Sequence, residues 1–437
     1  MASEWLKQLF AFRRSRTPEP IAPGLHHAVR EAEGAVARFH LRVERDGSGM
    51  LIGNATAAAR LSPSGVVIAK GLLDGEDEAE ILKSLGARFR GASEEIMCAD
   101  IAQVKALLDS ILSPGDLYPV FNLENAALSP YEAELIAPLQ AAVPLADPGA
   151  LLPVLDRLWA VGIPHVTILA PENPDVAALV RAVERAEDLG MIAGVRARAS
   201  DLVPETLLPD LAVAGVDHVT VPYAAVDPAV HDALYGAGDH AAAVETLAWL
   251  EQHEVCAVTE VPLLTHTVDR LDETVPALMS MGTDTLSFVA FAVEDAVPGS
   301  QRDGAIPAAA MPQVATIVEE AAHEVQALFI WQPPVQRDPA RSLVDQVRQG
   351  PRCPGDIAVR VEPDGTVIPP RGPYRSAGNV LHDRWEDIWN HEAFRIYRER
   401  VEAPTRCDVC PGLTICAADC PRESAGWSQA ASGGENA

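Results

Sequence analysis

The chain reads as an α/β protein: repeated strand–helix units, with a small winged-helix-like domain in front and a loop-rich, cysteine-rich region behind. Three observations carry this reading. Strand and helix patterns alternate between residues 114 and 345. Three short strand patterns followed by three helical ones occupy residues 36–113. Five of the seven cysteines fall in the last quarter of the chain.

In the first domain, His40–Glu44 and Gly49–Gly53 are short strand patterns separated by the turn Asp46-Gly47-Ser48, and Ala59–Ser62 is a third. Pro63 opens a helix over Ser64–Leu73, and amphipathic helices follow over Asp77–Phe89 and Ser93–Leu112. Residues 1–35 precede this domain as an arm, amphipathic around Trp5, Leu6, Leu9 and Phe10 and then rich in proline.

The central region predicts strands at Val143–Leu145, His165–Ala170, Ile192–Arg196, His218–Pro222, Val255–Leu263, Leu286–Ala292 and Ala327–Trp331. Helical patterns lie between them, among them Pro148–Ala160, Asp175–Leu189, Ala241–His253 and Val268–Met281. Repeated βα units imply a parallel sheet covered by helices, either open or curved into a partial barrel. In such folds the chemistry sits at the C-terminal ends of the strands.

Residues 346–425 carry a hairpin pattern, Ile357–Val361 and Thr366–Ile368 around Pro363-Asp364-Gly365, then a helical pattern over Trp385–Arg400. The cysteines follow as Cys407, two residues, Cys410, five residues, Cys416, three residues, Cys420. Short loops bring such thiolates together at little closure cost, and both iron–sulfur clusters and structural zinc accept four of them. Residues 426–437 are small and polar, and read as a disordered tail.

The cysteine run, with Cys353 and Gly365 upstream, resembles the SPASM domain of peptide-modifying radical SAM enzymes, as do Val361-Glu362-Pro363-Asp364-Gly365 and Trp385-Glu386-Asp387-Ile388-Trp389. That resemblance implies auxiliary [4Fe–4S] clusters. The family's second cysteine, five positions after the glycine, is Pro370 here, and a final cysteine is also lacking. One centre held by some four of Cys353, Cys407, Cys410, Cys416 and Cys420 is therefore expected, with zinc as the alternative metal.

The βα units resemble the radical SAM fold, on Gly162-Ile163-Pro164-His165-Val166-Thr167 and Asp217-His218-Val219-Thr220-Val221. The implied architecture is a partial (β/α)6 radical SAM-like barrel. The family's defining three-cysteine loop after the first strand is missing: Cys98 and Cys256 are consecutive cysteines, and Val143-Pro144-Leu145 runs through Asp147-Pro148 straight into a helix. The family's Gly-Gly-Glu-Pro motif reads Ala170-Pro171-Glu172-Asn173, where Pro171 fixes φ and removes a donor. No SAM binding is expected at this degenerate site.

Residues 36–113 resemble the PqqD family, on His40-Leu41-Arg42-Val43, Leu51-Ile52-Gly53-Asn54-Ala55 and Leu61-Ser62-Pro63. The resemblance implies that a precursor-peptide leader adds as a strand along Ala59, Arg60 and Leu61, with Ile96, Ile101 and Val104 as the pocket wall. The partners expected are that leader and an active radical SAM enzyme.

These readings point to a catalytically degenerate, iron–sulfur-binding scaffold in ribosomal peptide maturation. Two alternatives stand beside it. One is an enzyme of another class using Glu172 or Glu260 with His165, His218 or His266 as pocket bases. The other is a zinc-stabilised interaction module. A net charge of −28 repels phosphate backbones and anionic lipid heads, which argues against nucleic acid and membrane partners. Clustered cysteines without a secretory signal place the protein in a reducing cytoplasm.

Overall fold

The computed structural model describes residues 20–32, 35–53, 57–89, 91, 93–112, 136–202, 205–283, 285–293, 304–324, 328–331, 335–350, 358–369 and 376–394. The chain divides into two compact units, Met1–Leu117 and Tyr118–Ala437.

The first unit is a four-stranded antiparallel sheet followed by three helices. Its strands are β1 (Gly24–Ala32), β2 (Ala35–Val43), β3 (Gly49–Gly53) and β4 (Ala57–Leu61), in the order β1-β2-β3-β4. Its helices are α1 (Pro63–Asp74), α2 (Glu78–Arg88) and α3 (Glu94–Leu112). The breaks between them follow from local chemistry. Ser62 caps α1 by accepting from the Gly65 N–H, Pro63 occupies the first turn, and Gly75 ends the helix at φ 82°. Asp77 and Glu80 cap α2 reciprocally. Phe39, Leu41, Val43 and Leu51 from the sheet meet Val66, Ile68, Ile81, Leu85, Ile101, Val104 and Leu108 from the helices in one core.

Strand β1 corrects the expected arm. Residues 24–32 pair with β2 along its whole length, from Gly24↔Val43 to Ala32↔Ala35. The Arg30 guanidinium also donates to the Leu72 carbonyl at the end of α1. The sheet therefore has four strands where three were expected.

The second unit is built on six consecutive parallel strands: β5 (Gln140–Pro144), β6 (His165–Leu169), β7 (Ile192–Arg196), β8 (His218–Pro222), β9 (Cys256–Leu263) and β10 (Thr285–Val293). Each is followed by helix: α4 (Pro148–Ala160), α5 (Val176–Asp188), α6 (Leu207–Val213), α7 (Pro228–Tyr235) with α8 (Asp239–Gln252), α9 (Thr265–Val268) with α10 (Leu271–Ser280), and α11 (Met311–Glu324). Every strand is added on the same side of its predecessor, so right-handed crossovers put all these helices on one face. That face is apolar: Ala141, Val143, Val166, Ile168, Ala193, Val195, Val219, Val221, Val261 and Phe288 are buried there.

Beyond β10 lie β11 (Ile306–Pro307), β12 (Leu328–Trp331) and β13 (Val335–Gln336), all paired with it. A short helix α12 (Leu343–Gln349) follows. The hairpin β14 (Ala358–Val361) and β15 (Thr366–Ile368) then returns to the other end of the sheet, with β14 parallel to β5 and β16 (Gly378–Asn379) beside β15. The order has two ends, so the sheet is not a closed ring among the described residues. Of the expected helix Trp385–Arg400, α13 covers Trp385–Trp389, Asn390 and His391 interrupt it, residues 392–394 are helical again, and 395–400 lie outside the described residues.

The second face of the parallel sheet is polar. Gln140 donates to Thr167 at 3.2 Å, and Arg196 pairs with Glu260. Near the N-terminal strand ends, His165 and His218 face each other with Nε2 atoms 2.7 Å apart. A Cβ on Gly194 would stand 2.2 Å from the His218 ring, so glycine there makes room for it. One ring donates and the other accepts, so the two rings cannot both be protonated while the bond stands. Burial lowers the His218 pKa to about 3, and burial together with the facing His218 holds His165 well below its ordinary value.

These depressed values link stability to pH. An unfolded histidine takes up a proton below about 6.5 while the folded pair does not, so stability is full above about pH 6.5 and falls as acid is added. At pH 5.5 the expected loss is on the order of 1 kcal/mol per histidine. The urea midpoint of the second unit should therefore drop between pH 7 and 5.5, and a His165→Gln/His218→Gln variant should show a flatter profile. Equal slopes for the two proteins would contradict this.

Candidate functional site

Three segments meet at the C-terminal strand ends. The first is the loop after β6, Ala170-Pro171-Glu172-Asn173. Asn173 adopts φ 52°, a left-handed conformation that asparagine tolerates better than most residues, and its N–H donates to Asp201 Oδ1 at 2.9 Å. The second is the end of β7, which supplies Arg196 and leads to Arg198 and Asp201. The third is α12 with Gly350 behind it.

Arg196 ties these parts together. Its Nε and Nη2 donate to the two carboxylate oxygens of Glu260 at 3.0 and 2.6 Å, a bidentate pair with both side chains at most 7% exposed. The same guanidinium donates to the carbonyls of Arg348 (2.9 Å) and Val347 (3.4 Å) at the C-terminal end of α12. The Val347 carbonyl also accepts the Gly350 N–H at 3.0 Å, and both carbonyls lie at the negative end of the helix dipole. Gly350, at φ 69°, lies so close that a Cβ would be 2.4 Å from Arg196 Cζ. Leu343 and Val347 bury the apolar side of α12 against Ala224, Leu234, Tyr235, Leu264, Val289 and Phe291. The chain's own helix thus packs over the polar face at this end of the sheet.

A second layer surrounds Arg196. Arg348 Nε donates to the Leu234 carbonyl at 2.7 Å, and its Nη1 donates to Glu172 Oε1 at 3.1 Å. Arg198 pairs with Asp201 at 2.8 Å and lies 3.1 Å from the same Glu172 oxygen. His231 Nδ1 accepts the Ala224 N–H, so its Nε2 carries the proton and donates to Asp239 Oδ2 at 2.9 Å. Asp239 Oδ1 accepts the Ser200 N–H at 2.8 Å. Tyr223 and His240 share a hydrogen bond of 3.0 Å, and burial holds His240 below its ordinary pKa. Burial, with Glu260 nearby, pushes the Tyr235 hydroxyl well above the ordinary range, so it stays protonated.

The structure sorts the expected site residues. Glu172 and Glu260 both lie in this cluster, each held by guanidinium. His165 and His218 sit at the N-terminal strand ends, remote from the ends where such folds place chemistry. His266 is exposed in α9. Of the expected pocket bases, His165 and His218 thus lie at the opposite strand ends from Glu172 and Glu260. Arg196, Arg198, Asp201, Asp239 and Arg348 were missed, although a charged residue closing the apolar run of β7 was a usable signal.

The connection after β5 is short. β5 ends at Pro144, Asp147 caps α4 by accepting from Gly149 at 2.8 Å, and Pro148 opens the helix. Only Leu145–Asp147 separate strand and helix.

In the first unit, β4 is an edge strand, paired on one side with β3 through Leu51↔Ala59 and Met50↔Arg60. Arg60 is exposed and Ala59 half-buried. Leu61, Ile101 and Val104 belong to the core, whereas Ile96 is 56% exposed. Ile101 and Val104 therefore face inward, and the six residues do not form one surface.

Cys353, Cys407, Cys410, Cys416 and Cys420 lie outside the described residues. The hairpin between them is described. Gly365 takes φ 86° in its turn, and Asn379 Nδ2 donates to the Asp364 carbonyl at 2.7 Å. Arg157 on α4 donates to the Val380 carbonyl at 3.0 Å, which joins this framework to the βα units. Among the described residues, no group of three or more His, Cys, Asp or Glu is arranged to hold a metal ion. No described helix is long and apolar enough to cross a membrane.

Residues 353–411 match the SPASM iron–sulfur cluster-binding domain family. The fold as a whole resembles SuiB from Streptococcus suis, at 13% identity and a TM-score of 0.54, over 90% of this chain and 95% of that one. SuiB bound to its precursor peptide SuiA matches over the same shares with a TM-score of 0.53, and SuiB bound to S-adenosylmethionine with 0.52, both at 13% identity. The chain thus carries a region that matches the SPASM domain family, in a fold similar to that of SuiB.

Proposed function

We propose that this protein is a peptide-recognition scaffold in the maturation of a ribosomally made peptide, bearing an iron–sulfur centre and performing no SAM chemistry of its own. The observation that carries the reading is the three-residue link between β5 and α4. It leaves no room for a cluster-binding loop. Two further features support it. Glu172 of the Ala170-Pro171-Glu172-Asn173 segment is engaged by Arg198 and Arg348, and α12 packs over the neighbouring polar face. The similarity to a peptide-bound maturase favours a precursor peptide as ligand. The active radical SAM enzyme that such a scaffold would serve is a separate chain.

The donor set suits an iron–sulfur cluster. Four thiolates satisfy a [4Fe–4S] centre, and Cys407, Cys410, Cys416 and Cys420 with Cys353 supply five. Such a cluster would supply electron storage or a structural clasp for a region with little apolar core. Protein purified anaerobically should carry about four iron and four sulfide per chain. A Cys410→Ser variant should lose most of both. Stoichiometric zinc without sulfide would favour the zinc-stabilised module, and no metal at all would overturn the cluster reading.

In this proposal the leader peptide adds as a further strand along β4, which pairs with β3 alone among the described strands. In an antiparallel ladder these groups point outward at alternate residues. Of Ala58→Pro and Ala59→Pro, one should remove an outward donor and weaken leader binding at least about tenfold with the fold intact. The other removes a bond to β3 and should destabilise the sheet. Binding unchanged in a folded variant lacking the outward donor would contradict strand addition.

A further inference from the structure

Arg198 and Arg348 are each fixed by groups other than Glu172. Arg198 Nε donates to Asp201 Oδ2 at 2.8 Å, and its Nη1 donates to the Tyr235 carbonyl at 3.2 Å. Arg348 Nε donates to the Leu234 carbonyl at 2.7 Å. Leu234 and Tyr235 are the last two residues of α7, so their carbonyls lack helical partners and make strong acceptors. The two guanidiniums thus stand on one helix end. They would keep their places if Glu172 moved away.

Charge balance singles out Glu172. Asp201 meets the charge of Arg198, and Glu260 meets that of Arg196. The acid paired with Arg348 is Glu172. Without it, Arg348 is left with no paired acid among the described residues. Glu172 is also the most open member, with its side chain 51% exposed against 30% for Arg348 and 16% for Arg198. Its contacts are one-sided: both arginine Nη1 atoms lie 3.1 Å from the same oxygen, Oε1. A carboxylate placed freely between the two guanidiniums could give each its own oxygen, the stronger arrangement.

We propose that Arg198 and Arg348 form a binding site for a ligand carboxylate, and that Glu172 is an internal occupant the ligand displaces. The site lies at the C-terminal end of the parallel sheet of the second unit. The carboxylate belongs to a chain terminus or an acidic side chain, which share this chemistry. A tethered occupant competes at an effective concentration in the millimolar range, so it masks the affinity of the bare site.

The test is calorimetric titration of the full-length protein with N-acetylglycine, N-acetylaspartate α-amide and neutral N-acetylglycinamide. In Glu172→Gln, at least one of the two carboxylates should bind about tenfold or more tighter than in the wild type, and the neutral amide should not bind. The carboxylate preferred identifies the source as chain terminus or side chain. Arg348→Gln in the Glu172→Gln background should abolish the gain. Should that double variant not fold, Arg348→Lys replaces it, since lysine keeps the charge but loses the planar fork and should lose most of the gain. Equal affinity in wild type and Glu172→Gln, equal binding of the neutral amide, or a gain that survives the arginine changes would each overturn the proposal. These probes need neither the metal centre nor leader binding, so their outcome is separate from that of the scaffold reading.

Discussion

The buried pair of Arg196 and Glu260 is the constraint on which the C-terminal end of the sheet depends. A guanidinium removed from water is tolerated only when its charge and donors are met. Glu260 meets the charge with two hydrogen bonds, and the carbonyls of Val347 and Arg348 take remaining donors. Removing one partner of such a pair typically costs about 3–5 kcal/mol, because the other is left charged and buried. The pair therefore fixes β7 relative to β9 across the intervening β8, and fixes α12 onto all three.

The same device recurs one layer out. The C-terminal carbonyls of α7 are satisfied by Arg198 and Arg348, as those of α12 are by Arg196. Arginine serves both ends of this arrangement because its planar fork can bond a carboxylate and a carbonyl at once. The loop after β6 is drawn in by Glu172 and by the Asn173 N–H on Asp201. The Ala170–Asn173 segment is thus part of an internal electrostatic network, which supports the proposed scaffold reading.

Much of the architecture was legible because local chemistry and packing agree. Strands β7 and β8 and helix α4 fall at the residues expected, since Gly190 and Arg196 bound the run of β7, Pro222 ends that of β8, and Asp147-Pro148 is a strong helix start. Strand β1 was not legible. Its residues include His26, His27, Arg30 and Glu31, as an edge strand permits, and no apolar run marks it. The arginine network was hidden for another reason: Arg196 meets the Arg348 carbonyl 152 positions away and Glu260 64 positions away, which only the fold brings together. The roles of the two conspicuous histidines, His165 and His218, depend on which strand end is which. Their place at the N-terminal ends makes them a buried hydrogen-bonded pair instead of catalytic bases.

The most direct test of the account is whether the protein cleaves SAM reductively. Full-length protein, purified and reconstituted anaerobically with iron and sulfide and then reduced, would be incubated with SAM in the presence and absence of a candidate precursor peptide, and 5′-deoxyadenosine measured. A three-residue link after β5 and an engaged Glu172 predict none above a protein-free control. Formation of 5′-deoxyadenosine above that control would contradict the scaffold reading.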